Sequence, residues 1–144
     1  MNTQDSPPDL SPPKHILFVD DDEGMLFLVR RILQRNGFIV TAFESAEEAL
    51  AAFQHDPSSF DLVLSDYNMP RMNGLDLSVL IRKVHPSAVI ALISGYITDE
   101  LIQKAGALGI DKIIYKPNTV EELCATVRQI LDETDSKALA GKSE

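Results

Sequence analysis

Five short apolar runs alternate along the chain with stretches whose apolar residues recur at helical spacing. Ile16-Leu17-Phe18-Val19 is unbroken, the pattern of a central parallel strand covered on both faces. Met25, Leu28, Val29, Ile32 and Leu33 then fall on one helix face, and Asn36-Gly37 stops that helix. Phe38 to Phe43 reads as a second strand. Ser45 predicts an N-cap, with Glu48 three residues on completing a capping box, before the stripe Ala46, Ala49, Leu50, Phe53. Leu62 to Ser65 is a third strand, ending on Asp66. Gly74 leads into a helix with Leu77, Leu80, Ile81 and Val84 on one face, which His85-Pro86 breaks. Val89 to Ile93 is a fourth strand, ending in Ser94-Gly95. A weaker helix follows over about Asp99 to Leu108, before Gly109. Ile110 to Tyr115 is a fifth strand, ending in Lys116-Pro117. The last helix carries Val120, Leu123, Val127, Ile130 and Leu131, with Thr119 or Asn118 as its cap.

Strands alternating with helices in this way predict an α/β fold. The sheet is mostly parallel, with helices on both faces and right-handed crossovers. Five strands and five helices favour the doubly wound order 2-1-3-4-5. Residues 1–13, with Ser6-Pro7-Pro8 and Ser11-Pro12-Pro13, read as a disordered Pro-rich tail. The folded domain is expected over 14–133, and the small polar residues of 134–144 as a flexible tail with fraying from about Thr134.

Composition narrows the function classes. The net charge of −9 argues against direct nucleic-acid binding, which wants a basic patch. No apolar run reaches membrane-span length and no secretory signal is visible, so a cytoplasmic setting with no membrane partner is expected. Cys124 is the one cysteine, which excludes an intramolecular disulfide; it sits beside the last helix's stripe as a buried, inert thiol. His15, His55 and His85 are scattered without ligand spacing, and Met69 and Met72 read as loop packing.

The strand ends carry the chemistry. In a doubly wound sheet, strands 1 and 3 lie side by side and their connections leave in opposite directions, opening a crevice at their carboxyl ends. Asp20, Asp21 and Asp66 fall at its rim. Two unit charges ~4 Å apart repel by about 4 kcal/mol at an effective dielectric near 20, so a pocket of ionised acids wants a cation. All-oxygen ligation suits Mg²⁺, with the carbonyl of Asn68 a further ligand. Ser94 and Lys116 end strands 4 and 5 at the same edge. A metal, an ammonium and a hydroxyl around a carboxylate suit phosphoryl transfer, with Asp66 as nucleophile. Each piece has a plainer reading by itself: helix N-terminal acids for Asp20 to Glu23, turn residues for Ser94 and Asn68, a solvated lysine for Lys116. Their joint placement outweighs those readings.

Val19-Asp20-Asp21, then Asp66-Tyr67-Asn68-Met69-Pro70-Arg71-Met72-Asn73-Gly74, then Ser94-Gly95, then Lys116-Pro117 resembles the receiver domain of two-component response regulators. The resemblance runs from about His15 to Asp132. It implies a flavodoxin-like fold, Asp66 as phosphoacceptor, and Mg²⁺ (or Mn²⁺) on Asp20, Asp21, Asp66 and the Asn68 carbonyl. It also implies Ser94 and Lys116 as groups that bind the phosphoryl oxygens, and a cis Lys116-Pro117 bond. The implied partners are a histidine kinase or histidine phosphotransfer protein upstream. Downstream, a protein target would read the face of the fourth helix, fifth strand and fifth helix. A stand-alone chemotaxis-regulator-like protein and a domain of a hybrid histidine kinase are equally compatible. The domain would be no enzyme in the usual sense, but would promote its own phosphorylation and dephosphorylation. Ile113 stands where the family usually has an aromatic. Tyr96 is expected to lean over the pocket and restrict hydrolytic water. Asp20-x-Asp22 with Ser94 and Lys116 also resembles haloacid dehalogenase-type phosphatases, with Asp20 as nucleophile, although Gly24 departs from that pattern. A third alternative keeps the fold as an interaction module that phosphate does not regulate.

Overall fold

The computed structural model describes residues 12–110, 112–116 and 119–142, with the side chains of 120 and 137–142 left aside. The strands are β1 (His15–Val19), β2 (Ile39–Phe43), β3 (Leu62–Asp66), β4 (Ile90–Ser94) and β5 (Lys112–Tyr115). The helices are α1 (Glu23–Arg35), α2 (Ala46–His55), α3 (Gly74–Val84), α4 (Asp99–Ala107) and α5 (Val120–Lys142). All strand pairs are parallel, in the order β2-β1-β3-β4-β5. Alternate residues of each strand point to opposite faces. Ile16 and Phe18 meet Val29 and Leu33 of α1 and Leu123, Val127 and Leu131 of α5. Leu17 and Val19 meet Ala49 and Phe53 of α2, Leu77 and Ile81 of α3, and Leu101 of α4. Helices thus cover both faces, and β1 and β3 flank the point where the winding reverses.

The starts of β2 and β5 differ from the sequence pattern for one shared reason. Gly37 and Gly109 take left-handed φ values of 93° and 70° and close the helices before them. In the first turn the Phe38 N–H donates to Leu33 O (3.1 Å), and in the second the Ile110 N–H donates to Ala105 O (2.9 Å). Both residues spend their amide on a helix end, so β2 begins at Ile39 and β5 at Lys112. Asp22 caps α1, as the plainer reading of the acidic run expects: its carboxylate accepts from Gly24 N (2.9 Å) and Met25 N (3.2 Å). Ser45 accepts from Glu48 N, but its hydroxyl donates to Glu47 rather than being answered by Glu48. A complete capping box sits instead at α3, between Asn73 and Asp76. Thr119 and Glu122 exchange bonds in the same way at the start of α5.

Helix α5 runs to Lys142, so the expected end near Thr134 is corrected. Residues 134 and 135 of the helix are tied down locally. The Thr134 hydroxyl donates to Ile130 O, and Lys14 pairs with Asp135 at 3.0 Å. Residues 1–11 of the expected Pro-rich tail over 1–13, and the Lys116-Pro117 bond, lie outside the described residues. Cys124 is buried, as expected, and burial pushes its thiol pKa up. Leu28, placed on the α1 stripe by its spacing, is 43% exposed beside Phe27.

Gly106 lies inside α4 with nothing within 4 Å of the position a Cβ would take. Gly106→Ala is therefore expected to stabilise the fold by about 0.5–1 kcal/mol, by removing backbone freedom from the unfolded chain. Chemical denaturation reads the change.

Candidate functional site

The carboxyl ends of β1, β3, β4 and β5 deliver four polar side chains to one rim. Sheet register explains why. Asp66 pairs with Ile93 and Ser94 with Tyr115, while the Lys116 N–H continues the ladder by donating to Ser94 O at 2.8 Å. Ile16–Val19 of β1, Leu62–Leu64 of β3 and Ile90–Ile93 of β4 are apolar, so the buried polar side chains Asp20, Asp66 and Ser94 emerge at the carboxyl edge. Asp66 itself is the final residue of β3 and is 2% exposed. Asp20 and Ser94 are equally buried, whereas Asp21 faces solvent.

One carboxylate oxygen from each of Asp20, Asp21 and Asp66 lies within 4.8 Å of the others. Lys116 Nζ reaches in from the β5 end and donates to Asp66 Oδ1 at 3.2 Å. The Asp20 carboxylate also accepts from the Asp22 N–H at 3.0 Å, which turns the acidic run around the pocket. Burial pushes the Asp66 carboxyl from an ordinary 3.8 up to about 6, the Asp20 charge adds to that, and Lys116 opposes it. Burial raises Asp20 as well, against the Asp22 N–H bond and Lys116, which lower it. For Lys116, burial is the largest single influence and acts downward. Its bond to Asp66 and the charges of Asp66, Asp20 and Asp21 outweigh burial together, so its pKa is raised. The pocket therefore holds an excess of negative charge that one lysine only partly offsets. A hard, oxygen-seeking divalent cation fits this donor set.

The expected residues gather with differing detail. Asp20, Asp21, Asp66 and Lys116 share the pocket. Asn68 is exposed in the loop two residues beyond Asp66. Ser94 is at the same edge, but its hydroxyl is engaged locally, donating to Tyr96 O (2.8 Å) and accepting from Tyr96 N (3.3 Å). Tyr96, expected to lean over the pocket, is 76% exposed. Ile113 is half-buried against the α2–α4 side of the core, while Tyr115, two residues on, is exposed. Met69 and Met72 pack on that same layer, as loop packing requires. His15 is structural, bonded to Ser59 O (3.0 Å) and Thr41 Oγ1 (2.7 Å).

Two contacts escaped the sequence reading. Gly74 opens α3 hard against β3: a Cβ there would lie 2.8 Å from Asp66 O and 3.0 Å from Tyr67 Cα. Arg82 of α3 donates to the carbonyls of Leu108 and Gly109 at the end of α4. The first had a faint signal, a glycine at a helix start. The second, 26 residues from its partner, had none.

Residues 16–128 match the response regulator receiver domain family. The chain belongs to that family. The receiver is 32% identical over 127 residues to the sensor kinase CckA of Brucella abortus, covering 88% of this chain and 13% of the kinase. It spans about half or less of the other curated relatives it matches. Its fold is similar to a CheY-like receiver domain protein from Methanospirillum hungatei, with a TM-score of 0.81 and 30% identity over 87% of this chain and 98% of that one. It is also similar to a Burkholderia pseudomallei response regulator solved with a phosphorylated aspartic acid, a calcium ion and citrate. There the TM-score is 0.71 and the identity 26%, over 87% of this chain and 72% of that one. The family match decides against the dehalogenase-type resemblance. Receivers of this family are signalling domains of two-component systems, and no described helix here is long and apolar enough to cross a membrane.

Proposed function

We propose that Asp66 of this receiver accepts a phosphoryl group from a histidine kinase or histidine phosphotransfer protein, and that the acyl phosphate shifts the domain between two conformations. The observation that carries this reading is the buried Asp66 carboxylate, bonded to Lys116 and crowded by Asp20 and Asp21. An Asp66 oxygen attacks the phosphorus of the donor phosphohistidine. The P–N bond breaks, and the imidazole leaves with the electron pair and takes up a proton. Lys116, released from the carboxylate, follows the charge to the phosphoryl oxygens. Ser94 supplies a hydroxyl once its bond to the Tyr96 carbonyl opens. Asp20, Asp21, Asp66 and the Asn68 carbonyl would hold Mg²⁺, or Mn²⁺ in its place, which supplies positive charge against the phosphoryl group. The response is read by a protein target on the face of α4, β5 and α5, where Ile102 and Tyr115 are exposed. The phosphorylated aspartate of the similar Burkholderia protein supports the assignment.

Incubation with acetyl phosphate and Mg²⁺, followed by borohydride reduction and peptide mapping, tests it. Modification confined to Asp66 is expected. Modification of Asp20, or none at all, would show the reading to be wrong.

A further inference from the structure

We propose that a second copy of this chain docks on the free edge of β2, the two strands running antiparallel about Thr41 so that both sheets join as one. The inference goes beyond the phosphoacceptor reading and does not depend on it. Strand β2 ends the sheet order, so one side of it has no neighbouring strand. The Ile39 N–H donates to Lys14 O (2.9 Å), and Phe43 O accepts from the Asp20 N–H (3.2 Å). Residues 39, 41 and 43 therefore turn their backbone polar groups toward β1. By the alternation of a parallel ladder, Val40 and Ala42 turn theirs outward, where no described residue bonds them. An edge of this kind is normally blunted by a charge, a proline or a bulge. The opposite edge strand, β5, opens on the exposed Lys112. The β2 sequence, Ile39-Val40-Thr41-Ala42-Phe43, carries no such guard and leaves Ile39 49% exposed.

The chemistry of the edge selects another β2 as its occupant. A two-fold axis through Thr41 sets Val40 opposite Ala42 of the second copy, and each such pair exchanges N–H and C=O bonds. Ile39 then lies opposite Phe43 of the second copy on the α2 side, which buries the exposed apolar side chain against an aromatic ring. On the α1 side, where Val40 and Ala42 already pack, the next residue of that face is the exposed Glu44. The axis carries Glu44 of one copy to the start of β2 in the other, near the last turn of α1 and its Arg35. Both residues are exposed, and neither has an ion pair among the described residues. The two ends of β2 are opposite in charge, with Arg35 before its start and Glu44, Glu47 and Glu48 past its end. Antiparallel pairing matches them, whereas parallel pairing would set like charge against like. Phe38 already spends its N–H on Leu33 O, so the new ladder stays short and the dimer is a reversible one.

Sedimentation velocity over a range of concentrations, together with disulfide trapping, tests the pairing. In a Cys124→Ala background, Thr41→Cys puts the two sulfurs beside the axis. Facing residues of a non-hydrogen-bonded antiparallel pair have Cα atoms about 4.5 Å apart, within disulfide range. The expected result is a reversible monomer–dimer equilibrium of the full chain and a disulfide-linked dimer of Thr41→Cys under mild oxidation. Lys112→Cys, on the far edge of the sheet, is expected to trap no dimer. Ile39→Lys sets a charge opposite Phe43 and is expected to raise the dimer dissociation constant by about tenfold or more. Ala42→Pro removes an outward N–H without touching a bond to β1 and is expected to act in the same direction. Circular dichroism checks that both variants keep the fold. A chain that stays monomeric at the highest concentration would overturn the proposal. So would a dimer that Ile39→Lys and Ala42→Pro leave unchanged, or trapping at Lys112→Cys but not at Thr41→Cys.

Discussion

Replacing Asp66 with Asn is expected to abolish the phosphoryl adduct and, in the same protein, to raise the stability of the metal-free fold at neutral pH. The loss is chemical: an amide has no anionic oxygen to attack phosphorus. The gain is electrostatic. Folding places the Asp66 carboxylate where burial and the Asp20 charge disfavour its ionised form, lifting its pKa from 3.8 to about 6. A carboxyl with a raised folded-state value stabilises the protein while protonated, below the unfolded value near 4. That contribution is lost as the pH rises through about 6. Each tenfold change in proton affinity is worth about 1.4 kcal/mol, so the ceiling is about 3 kcal/mol. The stability difference between Asp66→Asn and the parent is thus near zero at pH 4 and grows to as much as about 3 kcal/mol above pH 7. Adding Mg²⁺ is expected to raise the parent more than the variant. Urea titrations across this pH range measure it. A variant less stable than the parent at pH 7.5 without metal would contradict the charge balance assigned to the pocket. Lys116 acts in a different window. Its raised value adds stability below its ordinary range, and that is lost only in strong alkali.

Gly74→Ala is expected to be the most damaging small change near the site. A methyl group there meets the Asp66 carbonyl at 2.8 Å, Leu92 Cδ2 at 2.9 Å and Tyr67 Cα at 3.0 Å. Two of these are backbone atoms that cannot rotate away. The first turn of α3 must lift from the end of β3, straining the Gly74 N–H bond to Tyr67 O at 2.9 Å. Overpacking of this kind costs about 1–3 kcal/mol, or a fall of roughly 5–10 °C in melting temperature. Because the same shift moves the Asp66 backbone, Mg²⁺ affinity is expected to fall with it. Alanine at Gly106, also helical but open to solvent, acts in the opposite direction and serves as the control. Thermal unfolding of the two variants side by side distinguishes local crowding from intrinsic helix propensity. Equal effects would refute the crowding argument.

Much of the architecture was legible because parallel strands covered on both faces must be apolar throughout. Ile16 to Val19, Leu62 to Ser65 and Val89 to Ile93 stood out for that reason, and the polar residue after each marked the functional edge. The site acids were legible for the same reason: Asp20 follows the apolar run Ile16 to Val19, and Asp66 closes the strand that opens with Leu62 to Leu64. What the pattern missed were turns that consume an amide. Phe38 and Ile110 have strand-like side chains, yet their N–H groups belong to the preceding helices. The reach of α5 beyond Thr134 was missed because helix ends depend on local bonds and ion pairs, here Thr134 to Ile130 and Asp135 to Lys14.

The sequence by itself determined the α/β class, the strand order and the acids at one sheet edge, since hydrophobic period and strand-end polarity are properties of neighbours along the chain. Only the tertiary structure decided how those groups stand: Asp66 buried and paired with Lys116, Ser94 engaged by Tyr96, Gly74 pressed on β3, and Arg82 closing the end of α4. These are contacts between residues distant in sequence or fixed by loop geometry. Their energies come from burial and directed hydrogen bonds, which no local pattern encodes.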